Sequence, residues 1–251
     1  MLVSKSAKQT NWEKIQMIAT VINAILIILG GTFGTLCGNK IPEKFTKGII
    51  TAMGLITMAI GIQNCAGITN TLMTVICLVV GTVIGSLIKL DDKINNSGDA
   101  LKAKLAKTGL VKGKFSDGFV TCSVLFAVGT MTVLGSIRAG LNKDYSIILT
   151  KSVMDCASAV AFSAALGTGV IFSAIPVFVI QGFITLLAGV VQPILTTEVV
   201  AQMSAVGGPI FVGLAINLLG LRQEGVKVGD MLPAIFLPII FCPLAALLGL
   251  G

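Results

Sequence analysis

Apolar residues fall into eight long runs, at approximately 17–37, 46–64, 68–89, 117–137, 145–166, 168–192, 199–219 and 230–250, with polar residues gathered between them. Each run is close to the roughly 20 residues that carry a helix across the hydrocarbon core of a bilayer. The predicted fold is therefore an all-α polytopic membrane protein of about eight transmembrane helices. It is read as a single transmembrane domain over 17–251 behind an N-terminal extension at 1–16. The first run follows Lys14 and ends without a small-residue cleavage site, which predicts a retained span rather than a signal peptide. Only Gly167, Thr168 and Gly169 separate runs five and six. Gly207, Gly208 and Pro209 sit in the middle of run seven and predict a broken helix there, because proline lacks the N–H that a helix needs. Pro233, Pro238 and Pro243 predict a kinked last span.

Composition agrees with the pattern. The chain of 251 residues is 55% apolar before its 29 glycines are counted and only 12% charged, with a mean hydropathy of +0.97. A soluble globular domain, a coiled coil, a disulfide scaffold and a disordered chain are all excluded by those values. There is no histidine, which removes a His-ligated metal, a His general base and a Ser-His-Asp triad. Six scattered cysteines contain no C-x-x-C spacing and are read as small apolar residues. No cofactor is expected.

Charge then sets the topology. Of the lysines and arginines, twelve lie in the connections after spans one, three and seven, and five lie at the opposite ends of the spans. The positive-inside rule puts the polar connection at about 90–116 inside and both termini outside. That connection carries Leu101 and Leu105 beside Lys102, Lys104 and Lys107, and is read as a solvated linker with a short helix that touches the membrane surface.

Two features point to chemistry. Asp155 lies about 15 Å into span five at 1.5 Å per residue, near the bilayer midplane, where a carboxylate needs a partner or a role. Lys151, one turn away, supplies either a structural counter-charge or a competitor for an ion or proton at Asp155. The second feature is an internal echo. Thr51, Ala52, Met53 and Gly54 precede Gln63 in span two, as Ser204, Ala205, Val206 and Gly207 precede Asn217 in span seven. Five spans separate these segments, an odd offset that predicts an inverted repeat of spans one to three in spans six to eight. In that reading segments 51–54 and 204–208 approach each other near the midplane, and the broken span seven presents backbone groups of Gly207 and Gly208 to a ligand. Gln63, Gln181 and Asn217 are intramembrane amides available to the same cavity, and with Asn23 are otherwise read as interhelical glue. Gly30, Gly34, Gly38, Gly81 and Gly85 repeat at four-residue spacing and predict close helix packing.

The stretches NAILIILGGTFGTLCG, SVLFAVGTMTVLGSIRAGL, KSVMDCASAVAFSAALGTGV, QGFITLLAG, SAVGGPIFVGLAINLLG and DMLPAI occur in this order over most of the chain. In them the sequence resembles a bacterial integral membrane protein family catalogued as domain of unknown function 554. It departs in the N-terminal extension and in Cys156 and Asp230, where glycine and asparagine are expected. The resemblance implies that Lys151, Asp155, Gln181, Gly207, Gly208 and Asn217 lie in recurrent motifs, and it brings no substrate with it.

The function expected is secondary transport of a small solute or ion across the bacterial cytoplasmic membrane, with Asp155, Lys151, Thr51, Gly54, Ser204, Gly207, Gly208, Gln63, Asn217 and Gln181 as candidate site residues. No P-loop is present, so ATP-driven transport would require another subunit. A membrane scaffold or accessory subunit and an ion channel are the alternatives, and an enzyme is not expected. The expected partners are the lipid bilayer, the solute or coupling ion, and a second copy in a homodimer, but not nucleic acid.

Overall fold

The computed structural model describes residues 2–38, 42–127 and 129–247. Their regular structure is all helical: α1 (Leu2–Gly38), α2 (Glu43–Ala66), α3 (Thr71–Leu87), α4 (Leu90–Ala106), α5 (Phe115–Ala127), α6 (Thr130–Asn142), α7 (Ser146–Leu166), α8 (Gly169–Phe172), α9 (Ala174–Leu186), α10 (Ala188–Val191), α11 (Thr197–Leu219), α12 (Val228–Met231), a short 3-10 segment (Leu232–Phe236) and α13 (Pro238–Leu247). Five helical stretches are long and apolar enough to cross a membrane, and three bent pairs bring the number to as many as eight. Lys40 and the end of the eighth predicted run, 248–250, lie outside the described residues.

The helices are small inside and apolar outside. Thr74, Cys77, Gly81 and Gly85 of α3 are buried, whereas Val75, Val79 and Val83 face outward. Lipid is as apolar as valine, so packing between such helices gains most where small residues let backbones approach. Gly30, Gly34 and Gly38 of α1 accordingly lie against the backbone of Cys156, Val160 and Ala164 on α7. Gly81 and Gly85 lie in the same way against Ala234 and Asp230, and Gly61 of α2 against Gly208 of α11. The four-residue glycine spacing therefore marks the seams.

Contacts between connections sort the chain onto two ends. At one, Lys112 and Thr168 exchange backbone and hydroxyl hydrogen bonds of 3.1 and 3.0 Å, and Asp230 accepts from the Asp91 N–H at 2.9 Å. At the other, the Gln202 amide, near the start of α11, donates to the Asn70 carbonyl at 3.0 Å, and Gly140 near the end of α6 lies against Thr185 and Ala188 near the end of α9. The loops alternate between these ends as eight passes require.

Two expectations are corrected. Run seven is not broken: α11 is one helix of 23 residues with Pro209 inside it. Glycine at position 208 permits this, because the proline ring clashes with a preceding Cβ in helical conformation and Gly208 has none. The breaks fall in spans four and eight instead, where α5 and α6 meet at 57° and the segments before and after Leu237 meet at 40°. Gly129, with φ of 148°, stands at the first of these breaks. The 90–116 connection is more ordered than a linker, because α4 fills most of it, bent 57° from α3.

Candidate functional site

Four helices turn polar faces inward at one place. α1 and α6 each pack against both α7 and α9. Along each helix the polar residues recur at three or four positions, which stacks them on one face. These are Thr20 and Asn23 on α1, Thr132 and Ser136 on α6, Lys151, Ser152 and Asp155 on α7, and Gln181 and Thr185 on α9. All nine are buried, and Asn23 and Gln181 have no exposed surface. Asp155 is the tenth residue of α7, halfway along its 21 residues.

The bonding is sparse for so many polar groups. Lys151 is bonded to Asp155 Oδ2, and Asn23 Nδ2 donates to the same oxygen at 3.2 Å. The same Asn23 nitrogen donates to Gln181 Oε1 at 3.1 Å. Lys151 Nζ also stands 6.0 Å from the centre of the Phe126 ring, within cation–π range. Asn23 Oδ1, Gln181 Nε2 and the hydroxyls of Thr20, Ser136 and Thr185 have no partner. Each unsatisfied buried group costs about 1–3 kcal/mol, so five on the facing sides of these helices, two of them on the amides linked to the charged pair, are a marked departure from ordinary packing. Among the described residues no three of His, Cys, Asp or Glu cluster as they would around a transition metal.

Asp155, Lys151 and Gln181 are thus brought together as the sequence suggested, and Asn23 joins them to make the connection between α7 and α9. Its position as a lone amide in an apolar span was the available signal, but the sequence alone does not tell which helix an amide reaches. The remaining candidates lie elsewhere. Gly54 packs on Leu219 while Gly208 packs on Gly61 and Cys65, so α2 and α11 run antiparallel and segments 51–54 and 204–208 do not meet. They lie at opposite ends of the crossing, about 16 Å or more apart along α11. Thr51 is exposed and its hydroxyl donates to the Lys47 carbonyl in its own helix at 3.0 Å. Gln63 is exposed. Asn217 holds the following loop, donating to the Val226 carbonyl at 2.9 Å and accepting from its N–H at 2.6 Å. Gly207 and Gly208 are buried in a continuous helix, where their backbone groups are committed.

Two cavities flank the network without reaching it. One of about 500 Å³ lies between α6, α9, α11 and the bend before α13, and its walls are carbon almost throughout, with Ser204 the polar exception. The other, about 380 Å³, opens at the end that gathers the cations and is lined by Asp91, Asn95, Lys114, Asp117, Asn217 and Lys227 among others. There Asp92 raises the Lys227 ammonium above its ordinary range through a hydrogen bond and its charge.

A family model described as "Protein of unknown function (DUF554)" matches residues 18–243, which is most of the chain, so the protein belongs to that family. The chain is 26% identical over 226 residues to the uncharacterized membrane protein YdfK of Bacillus subtilis (strain 168), covering 88% of this chain and 94% of that one. It is 28% identical over 234 residues to the uncharacterized protein YqgA of Escherichia coli (strain K12), covering 92% and 97%. No solved structure matches.

Proposed function

We propose that this DUF554 member is a secondary transporter of the cytoplasmic membrane, not an enzyme, in which Asp155 binds a small coupling or transported cation. The observation that carries the reading is the buried Lys151–Asp155 pair set among polar atoms that lack partners. A purely structural pair is normally closed by further hydrogen bonds that satisfy what remains. Here the Asn23 amide oxygen and the Gln181 amide nitrogen, both on residues linked to the pair, stand open, which suits a site that is filled for part of a cycle.

Three further features support it. Spans one and six, two and seven, and three and eight each pack antiparallel, through Asn23–Gln181, Gly61–Gly208 and Gly81–Ala234, as an inverted repeat requires. Spans four and eight are both interrupted. The polar cavity, lined by acids and lysines together, opens at the loop end that gathers most of the lysines and fits a vestibule facing the cytoplasm, which by the positive-inside rule leaves both termini outside. A homodimer remains the expected assembly.

A scaffold rests on one specific observation, the self-neutralisation of the pair. Proteoliposomes decide between them. Uptake of ²²Na⁺ or ⁸⁶Rb⁺ above empty vesicles is expected for the wild type. Asp155→Asn alone leaves a buried ammonium uncompensated and should lower stability by about 3–5 kcal/mol. Adding Lys151→Met should restore stability but not uptake. Wild-type vesicles no more permeable than empty ones would overturn the transport reading, and a stable double variant that transports normally would overturn the role given to Asp155.

A further inference from the structure

Resting on that reading, we infer that a cation reaches Asp155 from the membrane face away from α4, along a hydroxyl-lined passage between α1, α6 and α9, while a plug of carbon closes the side toward α4. Helix direction fixes the two sides. Gly30, Gly34 and Gly38 of α1 meet Cys156, Val160 and Ala164 of α7 in that order, so these helices run parallel. Both run toward the end that carries α4, since Leu166 at the close of α7 lines one cavity with Asp91 and Asn95. α9 leads away from that end, and α6 runs with it, because Gly140 lies against Thr185 with both near their last turns.

Unpartnered polar atoms are spread unevenly between these sides. Asn23 donates to Asp155 at 3.2 Å and to Gln181 at 3.1 Å, and the two amides keep one open oxygen and one open nitrogen. One turn farther from α4 on the same helix faces stand Thr20 of α1 and Thr185 of α9, both buried and both without a partner. Ser136 of α6 is also buried and unpartnered. Its neighbour Gly135 packs on Ile147 and Ile148 in the first turn of α7, which puts Ser136 in the same half. The seal beyond these hydroxyls is thin: Ala19, Ala139 and Ile148 pack together with Tyr145, which is already partly exposed. A hydroxyl both donates and accepts, so a row of them can replace the water that a small ion sheds.

Toward α4 the surroundings are carbon. Phe126, Phe162, Leu166, Val170 and Val177 belong to one buried cluster that α5, α7, α8 and α9 build together. Asp155 and Leu166 are eleven residues apart on α7, about 16 Å at 1.5 Å per residue. Leu166 already lines the polar cavity of about 380 Å³, so the cluster occupies the stretch between that cavity and the carboxylate. Among the described residues Ser163 carries the one unpartnered buried side-chain atom in this half, and it faces Gly31 of α1. Packed carbon stays dry and holds back an ion. Five open polar atoms therefore lie at the level of Asp155 or beyond it on the side away from α4, against one toward α4.

The test uses Ag⁺, a thiol-binding cation of alkali-ion size, on single-cysteine forms of the full chain in right-side-out and inverted membrane vesicles in nitrate buffer. Thr185→Cys and Ser136→Cys report the passage, native Cys122 kept alone reports the plug, and Ser97→Cys on α4 marks which vesicles present the α4 face. Thiols reached by Ag⁺ are counted as those lost to a maleimide after denaturation, and each purified form is checked for a wild-type melting temperature. Ser136→Cys exchanges one atom, so it keeps the test open if Thr185→Cys does not fold. Ag⁺ should reach both passage thiols at least tenfold faster from the face away from α4 than from the α4 face. Cys122 should react at least tenfold more slowly than either, from both faces. Equal or reversed rates, no reaction at the passage thiols from either face, or Cys122 reacting as fast as they do would overturn the passage. Tracer uptake by the wild type is measured separately. Its absence beside the expected labelling removes transport and keeps the route to Asp155, whereas reversed labelling with uptake intact removes the route alone.

Discussion

Substituting Gly61 tests whether close backbone approach at the α2–α11 crossing holds the bundle together. A Cβ added at Gly61 would lie 2.9 Å from the Gly208 carbonyl oxygen, 2.9 Å from the Val212 nitrogen and 2.9 Å from Val212 Cγ2. Ordinary carbon contacts begin near 3.4 Å, so the helices must separate by about 0.5 Å. Two of the three obstructing atoms are backbone and cannot rotate away. Overpacking of this kind costs about 1–3 kcal/mol. Alanine also raises helix propensity by about 0.8–1.0 kcal/mol, which offsets part of that cost. Gly48 lies in the same helix, is exposed, and has nothing within 4 Å of an added Cβ, so Gly48→Ala measures the propensity gain alone. The difference between the two variants therefore isolates the crossing. Thermal unfolding of purified protein in one detergent should place Gly61→Ala below wild type and Gly48→Ala at or above it. Adding Gly208→Ala to Gly61→Ala should cost less than the two singles together, because the helices have already moved apart. Equal melting temperatures for Gly61→Ala and Gly48→Ala would refute the seam.

Four other outcomes follow from particular contacts. Because α11 is continuous, Pro209→Ala supplies a missing donor for the Ala205 carbonyl, and the variant should melt no lower than wild type and keep its transport; loss of transport with stability intact would restore the broken-helix reading. Asp230→Asn keeps an oxygen for the Asp91 N–H and should be nearly neutral, whereas Asp230→Ala leaves that donor unpaired and should cost about 1–3 kcal/mol by denaturation. The Ser146 hydroxyl and N–H, with Arg138 beyond them, hold the Asp144 carboxyl below its ordinary range. Its contribution is therefore present above about pH 4 and lost as pH falls through the depressed value, so a melting-temperature gap between wild type and Asp144→Asn should close on acidification. In a cysteine-free background, Ser97→Cys on α4 should resist an impermeant thiol reagent in intact cells and react after permeabilisation, and reaction in intact cells would reverse the topology.

Much of this protein is written in one dimension. Span number and extent follow from apolar run length, because lipid requires each crossing segment to satisfy its own backbone. Grouping of the loops follows from counting alternate passes. The glycine repeats marked the faces of α1 and α3 that pack closely, since helical spacing puts residues four apart on one face. Lys151 and Asp155 share one turn of one helix, so their pairing was also legible.

Tertiary structure alone decided the partners across helices. Asn23 and Gln181 are 158 positions apart, and nothing in either apolar span states that one amide reaches the other. The echo between spans two and seven was read as a meeting point, yet antiparallel packing sets its two halves at opposite ends of the crossing. Proline in span seven was read as a break, but local sequence does not fix whether a helix with a missing bond stays straight. Packing on Gly61 and Cys65 holds α11 continuous, while the bends fall near Gly129 and Leu237. Local propensity acts over a turn or two, whereas depth, register and choice of neighbour are set by how whole helices fit against one another.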